Sequence, residues 1–198
     1  MVKQRVAPAV TGESRLRMGY QAFLDRTEEN VHAEWVDGEV TVFMPPSELH
    51  QDVVGFLYVL LAWYARRFDL GKVLLAPFEM KILGGRVSRE PDLLFVAREH
   101  AGRRTGRRIE GPADLVIEVV SDDSARRDRR EKFRDYQAAG VLEYWIVDPR
   151  PGERRASFYR LGDDGQYVEV PTDAGGRRRT LPRDHATRLL ARSVVAVG

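Results

Sequence analysis

Two carboxylates in this sequence sit in strands that should be buried, and a fold that includes them must supply a partner for each charge. Asp92 opens the run Leu93-Leu94-Phe95-Val96, and Glu118 lies inside Leu115-Val116-Ile117-Glu118-Val119-Val120. Short apolar runs of this kind, rich in aliphatic and β-branched residues, read as strands buried on both faces. A charge taken into such a strand costs several kcal/mol unless it is paired or hydrogen-bonded. Two acids on successive strands, followed by Lys132 on the next expected helix, have the makings of a divalent metal site for phosphodiester chemistry.

The surrounding pattern gives these strands a context. Residues 1–12 read as a loose tail. A helix is expected from Ser14 to Glu28, with Leu16, Tyr20, Phe23 and Leu24 on one face. Asp37-Gly38 between Ala33–Val36 and Glu39–Phe43 is a hairpin signal. Ser47 caps a long helix reaching Phe68, whose face of Val53, Val54, Phe56, Leu57, Leu60, Leu61 and Tyr64 is expected to be buried. Trp63, Tyr64 and Trp145 also read as core.

Strands are expected near 72–76, 78–83, 93–96 and 114–120. Between the last two, residues 97–111 form a loop or short helix. A helix over 123–139 stops at Gly140. Glu143–Val147 and a hairpin of Ala156–Leu161 with Gln166–Val170 complete the pattern, and a short helix is expected at 184–192 in the tail. Strands and helices in this order predict an α/β fold with a mixed central β-sheet flanked by helices. The expected organisation is a tail at 1–12, one domain at 13–171 and a C-terminal tail at 172–198.

Composition narrows the chemistry. There are no cysteines, which excludes disulfides and thiolate metal sites, and only four histidines. No apolar stretch is long enough to span a bilayer, and the N-terminus lacks an apolar signal core, so a cytoplasmic protein without membrane contact is expected. The net charge is +2, but lysine stands only at Lys3, Lys72, Lys81 and Lys132. The other 28 of 32 basic residues are arginine. Chemistry that needs a lysine therefore has four candidates. Lys132 is the best placed, because on a helix it shares a face with Asp128 and Tyr136; Lys81 is the reserve. The arginines at 103–108 suit either a nucleic-acid path or a solvated loop.

Each residue has a plainer reading. Pro91-Asp92 alone is a common turn, and Asp128–Lys132 alone is an ordinary exposed helix pair worth a few tenths of a kcal/mol. Glu118 is the exception, since a buried acid needs either a buried basic partner or a metal. Asp92 and Glu118 then supply oxygen ligands to Mg²⁺ or Mn²⁺, the Val119 carbonyl is a further candidate ligand, and Lys132 orients the water or stabilises the phosphate charge.

Six segments in order resemble the Uma family of bacterial proteins with the PD-(D/E)XK nuclease fold, the fold of restriction endonucleases. They are Ala33-Glu34-Trp35-Val36-Asp37-Gly38-Glu39; Pro45-Pro46-Ser47 with His50; Glu90-Pro91-Asp92 through Val96; Asp114 through Val119; Arg127 through Lys132; and Gly140 through Pro149. The resemblance covers about residues 15–170. It implies that Asp92 and Glu118 hold the metal and that Lys132 is the nuclease lysine moved onto the helix. It also implies that Glu34 lies near the site and that His50 accompanies it. The parent pattern puts lysine two residues after Glu118, where this chain has Val120. The implied activity is a metal-dependent DNA endonuclease, with a homodimer as its expected assembly because two sites cut two strands. Two other readings remain open: a non-catalytic module of the same fold binding nucleic acid or protein, and a phosphohydrolase acting on small phosphate esters.

Overall fold

The computed structural model describes residues 14–26, 33–43, 45–122 and 124–171. The expected tails and the helix at 184–192 lie outside these residues. In chain order the first elements are β1 (Ser14–Arg17), α1 (Tyr20–Arg26), β2 (Ala33–Val36), β3 (Glu39–Val42) and α2 (Glu48–Arg67). Then come β4 (Gly71–Leu75), β5 (Glu79–Ile82), β6 (Val87–Arg89), β7 (Leu93–Ala97), β8 (Arg108–Glu110) and β9 (Leu115–Val119). A π-helical turn, Arg127–Lys132, leads into α3 (Phe133–Ala139), followed by β10 (Glu143–Asp148), β11 (Arg155–Leu161) and β12 (Tyr167–Glu169).

The strands make two six-stranded sheets, ordered β1-β3-β2-β6-β5-β8 and β12-β11-β10-β9-β7-β4. Both are mixed: β9–β10 and β5–β8 are parallel, and the other pairs antiparallel. The expected mixed α/β architecture is thus present, with the first sheet standing beside the second, which carries the two acids.

Strand parity sorts the core into two clusters, because alternate residues face opposite sides of a sheet. Leu93 and Phe95 of β7, Leu115 and Ile117 of β9 and Trp145 of β10 pack with Leu61, Tyr64 and Ala65 of α2. Leu94, Val96, Val116, Val120, Tyr144 and Ile146 face the other way. They meet Tyr136 of α3 and Met80, Ile82, Val87 and Ile109 of the first sheet. Asp92 shares parity with Leu94, and Glu118 with Val116, so both acids belong to the α3 side. Running the β7–β9 register one step past Leu93–Ile117 sets Asp92 opposite Glu118.

Local signals account for several elements. Asp37 (φ 46°) and Gly38 (φ 88°) turn the β2–β3 hairpin with the positive φ pair that a two-residue turn requires. The Ser47 hydroxyl caps α2 by accepting from the His50 N–H at 3.3 Å. Gly140, in the left-handed region at φ 82°, ends α3.

Three expectations change. Ser14–Glu28 is not one helix: Ser14–Arg17 pairs with Glu39–Val42 as an edge strand, and only Tyr20–Arg26 is helical. The long-range ladder outweighs the local apolar spacing. Trp63 is 62% exposed and Phe56 50% exposed, so neither is core. The expected buried face of α2 narrows to residues around Leu61, Tyr64 and Ala65. Tyr64 and Trp145 are buried as expected.

Candidate active site

A cleft of about 600 Å³ opens where β9 ends, between the N-terminus of α2 and the π-helical turn. Asp92, Glu118, Asp128 and Lys132 line it, with His50 and Arg127 on its walls. Four of the five sequence-predicted site residues therefore face one space. The fifth, Glu34, stands behind Lys132, off the cleft wall.

Asp92 is held from two directions. The Val119 N–H donates to its Oδ2 at 2.8 Å, and His50 Nε2 lies 3.3 Å from the same oxygen. Its other oxygen accepts no hydrogen bond among the described residues. Burial works against the His50 imidazolium, but the hydrogen bond and charge of Asp92, with the nearby Val119 carbonyl, outweigh it and raise the His50 pKa.

Glu118 is gripped by one helix face. The Tyr136 hydroxyl donates to Oε1 at 2.7 Å and the Lys132 ammonium lies 2.9 Å from Oε2. Lys132 also lies 3.2 Å from Glu34 and 3.6 Å from Asp128. Its side chain is only 5% exposed, so the surrounding carboxylates, not water, keep it charged. Burial alone would lower its pKa; Glu118, Glu34 and Asp128 reverse that and raise it. Glu34 is itself fixed by Arg89 at 2.7 Å and by the Glu90 N–H at 3.2 Å. Arg89 reaches on to Asp135 of α3, tying the first sheet to the helix that carries Lys132.

The π turn shapes this face. Such turns are rare and recur at functional sites. Here the turn buries Arg127, Asp128 and Lys132 together, and the Tyr144 hydroxyl donates to the Asp128 carbonyl at 2.9 Å. The Asp128 carboxylate is 1% exposed and weakly held: Lys132 lies 3.6 Å from Oδ1, and the Ser124 hydroxyl is near enough to oppose the rise in its pKa. Burial raises its pKa, as it does that of Glu118, with Lys132 opposing in both cases.

These charges do not balance. Glu34, Asp92, Glu118, Asp128 and Asp135 face Lys132, Arg89 and Arg127, with His50 beside Asp92. Carboxylates outnumber the cations, and a bound cation would relieve the burial that raises the Glu118 and Asp128 pKa values, which is the electrostatic condition for taking one up. Among the described residues no three His, Asp or Glu side chains form a metal cage of their own. Mg²⁺ does not need one, since it is usually held by one or two carboxylates with waters and substrate phosphates. The donor set of Asp92 and Glu118 beside a weakly held Asp128 fits such an ion.

Sequence reasoning missed Arg89 and Arg127, and treated Asp128 and Tyr136 only as neighbours of Lys132. The signal for the last two was present: residues 128, 132 and 136 repeat every four positions, and that repeat places them on one side. Arg127 gave no such signal; its guanidinium lies 4.4 Å from the Phe43 ring at the cleft wall. The arginines at 103–108 do not line the cleft. Within that stretch Arg108 pairs with Glu110 and Arg103 donates to the Pro112 carbonyl.

A family model described as "Putative restriction endonuclease" matches residues 20–191. Among solved structures, the chain is similar to a putative nuclease belonging to DUF820 from Anabaena variabilis. The TM-score is 0.69 at 16% identity, covering 88% of this chain and 94% of that one. At that identity the likeness shows a shared fold. No curated protein matches the chain.

Proposed function

Because the chain belongs to the Uma2 family, whose members are described as putative restriction endonucleases, we propose that its cleft hydrolyses DNA phosphodiester bonds with the help of a divalent metal. The observation that carries this reading is the Lys132 ammonium beside Glu118, with Asp92 facing the same space.

Asp92 and Glu118 would hold Mg²⁺ or Mn²⁺. When bound, the ion supplies Lewis-acid neutralisation of the phosphate and activation of the attacking water. The protein's own groups do the rest. His50 and the Val119 N–H fix the Asp92 carboxylate, leaving one oxygen free. Lys132 fixes Glu118 and offers its remaining donor capacity to a phosphate oxygen or to the incoming water. Glu34 is a positioning residue, holding Lys132 and Arg89 rather than touching substrate. Arg127 presents a planar fork suited to a phosphate at the cleft wall.

The alternative is a non-catalytic module that keeps the fold. One observation favours it: Lys132 is already surrounded by three carboxylates, while Val120 fills the usual lysine position. Incubation with supercoiled and single-stranded DNA, with and without Mg²⁺ or Mn²⁺, separates the two. Metal-dependent cleavage by wild type and none by Asp92→Ala is expected. Equal cleavage by both proteins overturns the proposal, and turnover of nucleotides but not of polymers points to a small phosphate ester instead. Cleavage of both DNA strands calls for two sites, which a homodimer in the cytoplasm would supply.

A further inference from the structure

Helix α2 carries two apolar faces, and among the described residues only one is buried. Leu61, Tyr64 and Ala65 are buried against the second sheet. On the far side Leu49, Phe56, Val59 and Trp63 are 45%, 50%, 67% and 62% exposed. At 100° per residue these four fall within an arc of about 80°. Phe56, Val59 and Trp63 make an unbroken apolar patch, with Asp52 in the same arc between Leu49 and Phe56 and Arg67 at the arc's edge beyond Trp63, and exposed apolar patches of this kind mark interaction surfaces.

The charges beside the stripe identify the occupant. Glu48 and Asp52 are exposed at its N-terminal end, and Arg66 and Arg67 at its C-terminal end. A parallel copy of the helix would set like charges together. An antiparallel copy sets Glu48 and Asp52 against Arg66 and Arg67 at both ends, which is the self-complementary pattern of a two-fold interface. We propose that the stripe is a homodimer interface in which two α2 helices pack antiparallel about an axis near Phe56 and Val59. The inference gives an interface to the assembly that the nuclease reading calls for, and its observations come from α2 alone.

The arrangement also bears on the cleft. Leu49 lies at the cleft lip, one residue before His50. In the antiparallel pair the copy's Arg66 and Arg67 come to that lip and add positive charge where a polyanion would enter.

The sequence contains no cysteine, so single introduced thiols report on the geometry directly. The purified 198-residue chain should sediment at twice its 22.6 kDa mass. Val59→Glu/Trp63→Glu should sediment as a folded monomer. Arg66→Glu/Arg67→Glu should weaken association at least tenfold, and adding Glu48→Arg/Asp52→Arg should restore it. Phe56→Cys and Val59→Cys should oxidise to covalent dimers. Leu49→Cys, about 25 Å from its own copy in this arrangement, should not. A monomeric wild type overturns the proposal, as does a dimer that Val59→Glu/Trp63→Glu leaves intact. Cross-linking from Leu49→Cys as readily as from Phe56→Cys overturns the antiparallel geometry. A monomer that dimerises only after removal of residues 172–198 would mean that the chain's own tail covers the stripe. None of these readouts depends on cleavage, so the dimer and the nuclease reading can fail separately.

Discussion

The Lys132 ammonium lies 2.9 Å from Glu118 Oε2, reaching from the helix to a carboxylate whose own chain has Val120 two residues on, on the same side. The position of the ammonium, and not the element it hangs from, is then what matters. Lys132→Met should lower metal-dependent cleavage by about 100-fold or more, the scale of losing one preorganised charge donor. Val120→Lys in the Lys132→Met background should recover at least tenfold, because residue 120 also lines the cleft. Single-turnover cleavage rates measure both, and a double variant no faster than Lys132→Met would mean that the helix contributes more than the charge.

Metal binding should be visible without turnover. At a Mn²⁺ concentration one hundred times its dissociation constant, linkage predicts about 2.7 kcal/mol of added stability. Thermal melts should show this rise for wild type and lose it in Glu118→Ala and Asp92→Ala. A rise that survives both substitutions would place the ion elsewhere.

Tyr136→Phe removes the hydroxyl that donates to Glu118 Oε1 in a fully buried setting. A hydrogen bond to a charged group is worth about 1.5–3 kcal/mol, so the melting midpoint in urea should fall accordingly. Metal affinity should weaken by about 10–100-fold, as for other groups that orient a ligand. Titration calorimetry with Mn²⁺ distinguishes this from a loss of stability alone.

The acids were legible because a carboxylate in an apolar strand violates a strong rule, and strand parity then puts Asp92 and Glu118 on one side. The Asp-Gly hairpin, the Ser47 cap and the Gly140 stop were legible because each depends on backbone geometry that few residues supply. The first sheet was not legible as a whole. β6 and β8 are three residues each, too short for periodicity, and they exist through pairing with β5. The outward stripe of α2 was hidden for a different reason. Apolar spacing reveals a face but not what covers it, so Phe56 and Trp63 looked like core. Arg89 was one arginine among 28 until the fold brought it to Glu34.

Asp148 predicts an acid limit to stability. Hydrogen bonds from Arg150 and then Arg129 outweigh burial and lower its pKa from the ordinary 3.8 to about 2. A depressed carboxylate stabilises the fold above its unfolded pKa, near pH 4, and loses that contribution as pH falls toward 2. The stake is about 2 kcal/mol. Stability of wild type should drop across that window in denaturant titrations. Asp148→Asn should be less stable at neutral pH and should show a flatter acid slope.

Gly71 should tolerate no side chain. A Cβ there would lie 2.2 Å from the Val96 carbonyl oxygen, at φ 151°. Backbone cannot yield as a flexible side chain does, so Gly71→Ala should cost about 3 kcal/mol or more, at the upper end of overpacking costs. An unchanged melting temperature would contradict the β4–β7 register.

The grip of Lys132 and Tyr136 on Glu118 has a consequence for control. The acid rides on a central strand, while its two partners ride on a helix that Arg89 pins through Asp135. A small outward swing of that helix would disarm the cleft and leave the sheet untouched. Readiness for chemistry is then a matter of docking, open to any molecule that presses the helix down or lifts it away.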